Sequence, residues 1–203
     1  MAIRLRTTPI TMTFNDGTEK IDLGVWGPSN AKINYEKAIA SLDPSPKAKK
    51  ILKTAEDAAD VVYVLVTDSY FPKYFSPLEL QKRYSVVLPD NASLITWDPK
   101  SDQPVKTINA HKPKFLDYIT MQDSQKVEMM RPFMILLHEF GHFMQYLTLP
   151  QVYEIQRERT YVEGAKGIRT IDDAIEDENV QHHEAPVAYE LGQPIRFKYW
   201  DQS

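Results

Sequence analysis

The chain of 203 residues contains no cysteine. This absence excludes disulfides, thiolate nucleophiles, zinc ribbons and iron–sulfur clusters, so any metal ion must be held by nitrogen and oxygen. No apolar run approaches the roughly 18 residues that span a bilayer, and residues 1–9 lack the apolar segment of a secretory signal peptide. The net charge of −4 gives no basic footprint for nucleic acid. We therefore predict no membrane span and no nucleic-acid partner.

The composition that remains is typical of a globular protein. Apolar residues make up 42% and charged residues 26% of the chain, which is long enough to bury one well-formed core. We expect a single domain over residues 1–203, with N-terminal strands and helices in residues 1–90. Strands early and helices late indicate an α+β fold with a small mixed sheet.

Local patterns in the first half predict its elements. Apolar residues alternate on both sides of an Asp-Gly turn at residues 15–18, which predicts a β-hairpin within the first 25 residues. The other expectations are a helix over about 31–41 capped by Ser29 or Asn30, a helix over 46–59, a buried central strand at Val61–Val66, a loop over 68–83, and a strand pair at 85–88 and 93–97.

The second half is expected to be mostly helical. A helix is predicted from about 124 to 148, with Pro132 either kinking it or starting its main part. Leu149-Pro150 ends this helix, and a final helical region covers about 171–191. Pro186 interrupts that region, and Gly192 fits a C-terminal cap.

The strongest chemical signal is His138-Glu139-Phe140-Gly141-His142, an H-E-x-x-H motif. Residues four apart lie on one face of a helix, so both imidazoles can reach one metal ion. Glu139 stands at the edge of that face, where a carboxylate can take a proton from water without being a ligand. The motif therefore predicts Zn²⁺ held by His138 and His142, with Glu139 as general base.

The surrounding residues supply the helical context that such a motif needs. Apolar residues recur at spacings of three and four and form one stripe opposite the two histidines: Met129, Phe133, Leu136, Phe140, Phe143 and Leu147. Gly141 lowers helix propensity by about 1 kcal/mol relative to Ala. An unfavourable residue beside the histidines suggests that another segment approaches closely there.

A catalytic zinc ion needs a third protein ligand and an open position. The extended motif with a third histidine fails, because Gln145 and Thr148 stand where its Gly and His would be. The richest segment of donors is residues 176–184. It contains Glu176, Glu178 and Glu184 as candidate third ligands, and Asp177 and His183 as weaker ones.

The motif and the segment from His183 to Arg196 resemble bacterial effector metallopeptidases. That segment reads His-Glu-Ala-Pro-Val-Ala-Tyr-Glu-Leu-Gly-Gln-Pro-Ile-Arg. It is similar to the C-terminal metallopeptidase domain of type VI secretion VgrG spike proteins and, more distantly, to NleD-like effector proteases. The resemblance covers roughly residues 94–200. It implies a zincin-like fold, a glutamate as third ligand and a toxin-like peptidase role, with residues 91–203 as the zinc-binding core.

Carried over by position, the resemblance implies Glu184 as the third zinc ligand, with Glu176 and Glu178 as alternatives. Related glutamate-ligated peptidases place an acid four residues after the ligand to orient the first histidine, but Ala188 occupies that position here. Asp172, Asp173 or a backbone carbonyl would have to replace it.

Several residues remain candidates for other roles. His183 and Tyr189 are candidate stabilisers of an oxyanion, in competition with Tyr161 and Tyr199. Arg196 forms either a surface salt bridge or a contact to a substrate carboxylate. The strand at Ser93–Trp97 is either a core strand or an edge strand that pairs with a peptide substrate.

Taken together, the sequence predicts a zinc metallopeptidase that hydrolyses peptide bonds of a protein or peptide substrate. The resemblance implies a secreted effector or toxin domain that is delivered to a target cell, including its periplasm, and an immunity protein as a partner. Two alternatives stay open: a zinc amidase or endopeptidase that acts on peptidoglycan, and a non-catalytic zinc-binding interaction module.

Overall fold

The computed structural model describes residues 2–14, 17, 20–67, 72–108, 125–164 and 171–196, with backbone only at residues 28, 106–108, 125–126, 158–164 and 171–174. The strands are β1 Ile3–Arg6, β2 Ile10–Thr13, β3 Lys20–Leu23, β4 Val62–Val66, β5 Lys73–Phe75, β6 Ser93–Trp97, β7 Gln103–Ile108 and β8 Gln125–Met130. The helices are α1 Pro28–Leu42, α2 Pro46–Asp57, α3 Pro77–Tyr84, α4 Pro132–Thr148, α5 Pro150–Gly164, α6 Ile171–Asn179 and α7 Ala185–Glu190, with a π-helical turn at Val180–Glu184. The protein is thus of the predicted mixed α+β type with small sheets.

The central sheet has the strand order β1-β4-β6-β5. The first three strands are parallel, and β5 pairs antiparallel with β6 at the edge. The predicted central strand at residues 61–66 is confirmed, because β4 lies between β1 and β6 and is buried on both faces. Its side chains point to the two faces of the sheet and enter two different hydrophobic cores.

One core joins the sheet to α1, α2 and α4, and it contains Val62, Val64 and Val66 from β4. The other core joins Leu65 to α3 and to the β2–β3 hairpin. That hairpin is the predicted one, whereas most residues of its turn lie outside the described part of the chain. The site helix α4 therefore packs on one face of the sheet only.

The aromatic segment after β4 differs from the predicted loop. Tyr74 and Phe75 are fully buried on β5, and α3 follows. The Ser76 hydroxyl accepts a hydrogen bond from the Glu79 N–H at 3.1 Å, which caps α3. The pattern Ser-Pro-Leu-Glu at 76–79 is a helix-start signal that the sequence analysis missed.

Of the two strands predicted at 85–88 and 93–97, the first is wrong. Ser85 adopts the left-handed conformation that ends α3, and residues 85–88 form no strand. Residues 93–97 form β6, which pairs with β4 on one side and β5 on the other. The core-strand alternative is therefore correct, and the edge strand is β5.

The helix predicted over about 124–148 begins at Pro132, so the alternative in which Pro132 starts its main part is correct. Residues 125–130 form strand β8 instead of helix. Arg131 is extended because a residue before proline is kept out of the α conformation. The α1 start also differs: its N-cap is Gly27, followed by Pro28, and not Ser29 or Asn30. Helix α2 and the cap at Gly192, with φ of 61°, agree with expectation.

Within the described residues, no helix is both long and apolar enough to cross a membrane.

Candidate metal centre

Helix α4 carries both histidines of the motif. The indole N–H of Trp97, at the end of β6, donates to the Pro132 carbonyl at 2.7 Å and ties the helix start to the sheet. Leu136, Phe140 and Phe143 are fully buried, as the stripe predicts. Met129 is the exception, because it lies on β8 and is 47% exposed.

The histidine face of α4 meets Glu176 of α6. Nε2 of His138 and Nε2 of His142 are 3.2 Å apart, and Oε2 of Glu176 lies 3.0 Å from each. All three side chains are buried. Three donors that converge in this way could hold a metal ion, and two imidazoles with one carboxylate are a donor set found in catalytic zinc sites.

Glu184, predicted as the third ligand, occupies a different place. Its Oε2 accepts a hydrogen bond from Nδ1 of His138 at 2.8 Å, on the far side of the ring from Glu176. The structure therefore brings the alternative, Glu176, to the ligand position. Glu184 is therefore the hydrogen-bond acceptor that orients His138. The sequence predicted Asp172, Asp173 or a backbone carbonyl for this role, and the side chains of the two aspartates lie outside the described residues.

The π-helical turn explains how both carboxylates reach His138. Glu176 and Glu184 are eight residues apart, whereas two α-helical turns hold about 7.2 residues. In the turn, the Ala185 N–H bonds to the Val180 carbonyl, five residues back, which takes up one extra residue. Pro186 lacks an N–H and disfavours an uninterrupted α-helix here. Both carboxylates consequently face α4.

The second histidine has its own acceptor. Nδ1 of His142 lies 3.0 Å from Oε1 of Gln145, whose amide nitrogen donates to the Ile175 carbonyl at 2.9 Å. Because carboxylate and amide oxygens accept, Nδ1 of each histidine carries the donated hydrogen, which leaves Nε2 to face the metal position.

Two buried arginines hold the two glutamates. Nη2 of Arg196 lies 3.1 Å from Oε2 of Glu184, and Nη1 of Arg157 lies 3.6 Å from Oε1 of Glu176. The sequence analysis expected Arg196 to form a salt bridge at the surface. The salt bridge is present, but it is buried, because Arg196 is only 5% exposed. A carboxylate out of water needs such a partner.

Charge pairing shifts the pKa values in this network. Burial lowers the pKa of His138, but hydrogen bonds to Glu176 and Glu184 outweigh it and raise the value to about 9. Burial raises the pKa of Glu176, yet the two histidines hold it well below its ordinary value. Burial also raises the pKa of Glu184, but Arg196 and His138 outweigh it and lower the pKa below its ordinary value.

Glu139 and Gly141 lie on opposite flanks of the histidine face. With about 100° of rotation per residue, Glu139 is turned to one side of His138 and His142, and Gly141 to the other. Glu139 is buried, with 6% exposure, and is not part of the metal-binding group. This placement matches that of a base that is not a ligand.

The Gly141 flank is closed by the segment that follows Glu176. A Cβ atom at Gly141 would lie 1.8 Å from Oδ1 of Asn179 and 3.1 Å from Cβ of His183. The Asn179 amide donates to the His138 carbonyl at 2.9 Å. The close approach suggested by Gly141 is thus confirmed.

The remaining candidates lie apart from the three converging donors. His183 packs on the Gly141 flank; burial, with Lys47 and nearby histidines, lowers its pKa to about 4. Tyr189 is 57% exposed on α7, and Glu178 is exposed on α6. Asp177 is half-buried on α6. Tyr199 and the side chain of Tyr161 lie outside the described residues.

Sequence reasoning missed Asn179, Arg157, Tyr153 and the role of Gln145. Only Gln145 carried a usable signal, since it lies three residues after His142 on the same helix face. The others reach the site from separate elements.

Comparison with known proteins returned no match to a family model, to a curated protein or to a solved structure.

Zinc affinity, measured by competition with a chelator, should distinguish the role of Glu176 from that of Glu184. Glu176→Gln removes a ligand, whereas Glu184→Gln weakens the orientation of His138 and removes the charge partner of Arg196. Loss of such an orienting contact typically costs about 10- to 100-fold in affinity. We expect the larger loss in Glu176→Gln and wild-type affinity in the exposed control Glu178→Gln. A larger loss in Glu184→Gln would make Glu184 the ligand.

Gly141→Ala should destabilise the protein. Helix propensity favours Ala by about 1 kcal/mol, but overpacking against Asn179 costs about 1–3 kcal/mol. We expect urea unfolding to show a net loss of stability of up to about 2 kcal/mol. In an Asn179→Ala background the same change should cost less, and an equal cost would contradict the contact.

The stability of the metal-free protein should depend on His138 at alkaline pH. The folded-state pKa of about 9 exceeds the ordinary 6.5, so this contribution is complete below pH 6.5 and is lost as the pH rises through about 9. Urea unfolding in chelator between pH 6 and 10 should show this decline. His138→Gln serves as the control and should lack it; an identical decline in both proteins would contradict the assignment.

Proposed function

We propose that this chain is a zinc-dependent metallopeptidase in which Glu139 is the general base. One observation carries the proposal: His138, His142 and Glu176 converge, while Glu139 is buried beside them and remains outside the group. Among the described residues, that group contains three His, Asp or Glu side chains, and a catalytic zinc site needs three protein ligands with one further position for water.

Zinc bound by these residues would lower the pKa of water toward about 7 and polarise a substrate carbonyl. Glu139 takes a proton from the attacking water and passes it to the leaving amine. Glu184 and Gln145 hold the two imidazoles through their Nδ1 hydrogens, so that both Nε2 atoms stay directed at one point. Arg196 and His138 keep Glu184 ionised by charge pairing, and the two histidines do the same for Glu176.

The effector role is proposed from the resemblance of the C-terminal segment. Two residues of that segment serve the site and its surroundings. Arg196 pairs with Glu184, and the Glu190 carboxylate accepts hydrogen bonds at the start of α2 from the Ser45 hydroxyl and from the Lys47 N–H at 3.1 Å. The segment therefore supports the metal centre, which links the resemblance to the proposed chemistry.

One observation favours a different function, a non-catalytic metal-binding module. His138, Glu139, His142 and Glu176 are each at most 6% exposed. A peptide bond can reach the group only if a covering side chain or segment moves. Such a module would bind zinc and hydrolyse nothing.

The replacement Glu139→Gln separates these functions. In the zinc-loaded protein we expect wild-type zinc content and a loss of hydrolysis by several orders of magnitude, because the general base is removed while the ligands remain. Glu178→Gln is the matched carboxylate control and should retain activity. The assay uses labelled casein beside bacterial sacculi, since the same chemistry can cleave peptidoglycan crosslinks.

Full activity in Glu139→Gln would refute the base. A wild-type protein that binds zinc tightly but cleaves neither substrate would favour the non-catalytic module.

A further inference from the structure

Tyr153 of α5 is a buried tyrosine that has no role in the chemistry proposed above. Its side chain is 3% exposed, and within the described part of the chain its hydroxyl has no hydrogen-bond partner. A buried hydroxyl that bonds nothing is unfavourable, so it is expected to find an acceptor in the working protein.

The ring of Tyr153 lies against the metal centre. Its centroid is 6.4 Å from that of His142 and 5.8 Å from that of Tyr74, on the edge strand β5. The Tyr74 hydroxyl already bonds to the Ser93 hydroxyl at 2.9 Å. Tyr153 is therefore the tyrosine of this pair whose hydroxyl is available to a ligand.

Helix geometry places Tyr153 on the flank of the general base. Tyr146 follows His142 by four residues and projects, like Glu139, to the side of the histidine face opposite Gly141. The rings of Tyr146 and Tyr153 are 6.1 Å apart. His183 packs on the Gly141 flank instead, and Tyr189 is exposed on α7. His183 is therefore not on the side of Glu139.

The hydroxyl is a donor under ordinary conditions. Burial holds the pKa of Tyr153 well above its usual range; Arg157 opposes this shift, and the negative charges of Glu79, Glu176 and Glu139 add to it. A phenol that stays protonated and packs on the ring of His142 can give its hydrogen to an oxygen that gains negative charge.

We infer that the Tyr153 hydroxyl donates a hydrogen bond to the carbonyl oxygen of the peptide bond under attack and stabilises the charge on that oxygen. This catalytic role rests on the proposed peptidase function. It assigns the oxyanion contact to α5, a helix that carries no part of the H-E-x-x-H motif.

The test compares zinc-loaded wild type, Tyr153→Phe and the control Tyr146→Phe on labelled casein. Tyr153→Phe should lower kcat by about 100- to 1,000-fold, as for other single oxyanion donors, with little change in KM or zinc affinity. Tyr146→Phe should stay within about twofold of wild type. A wild-type kcat in Tyr153→Phe would overturn the inference, and a lost zinc affinity would make Tyr153 a ligand instead.

A second measurement does not need turnover. Calorimetry with a dipeptide phosphonamidate, which presents a tetrahedral anion, should show weaker binding to Tyr153→Phe by about the factor lost in kcat/KM. If the wild type cleaves nothing, the peptidase proposal fails, whereas this comparison still shows whether the Tyr153 hydroxyl donates a hydrogen bond to a tetrahedral anion bound at the metal centre. Equal affinity in both proteins would overturn that role.

Discussion

The buried network around His138 is the interaction on which the rest of the site depends. His138 contacts Glu176 through one ring nitrogen and Glu184 through the other, and each glutamate faces a buried arginine. Charges out of water are tolerated only when paired. The network thus requires α4, α5, α6, the π turn and the C-terminal segment to meet at one place, and it ties their packing to the state of the metal position.

The two flanks of α4 differ because of two positions of the motif, Glu139 and Gly141, which are two residues apart. Gly141 has no side chain, so Asn179 can approach the helix and bond the His138 carbonyl. Glu139, turned the other way, lies on the side of the tyrosines that pack between β5 and α5. Asn179 closes one flank of the helix, and the opposite flank is the one to which the proposed function assigns the general base.

The sheet contributes to this arrangement through its edge. Strand β5 carries Tyr74, whose ring lies 6.5 Å from that of His142, and it is antiparallel to its neighbour β6. The position of β5 follows from pairing between residues some twenty positions apart, with α3 between them. The sequence left residues 93–97 open as a core strand or an edge strand, and it did not predict β5, which is only three residues long.

The sequence by itself determined that both histidines of the motif lie on one face of α4, since a four-residue spacing places them there wherever that helix packs. It also determined the central strand β4, because a run of apolar, mostly β-branched residues favours a buried strand. Glycine inside a helix likewise indicated a close neighbour at Gly141. Only the tertiary structure distinguished Glu176 from Glu184: the two are nearly in phase, and the π turn at Val180–Glu184, together with the positions of Arg157 and Arg196, places one at each nitrogen of His138. Such placement depends on how separate elements pack, which no local pattern encodes.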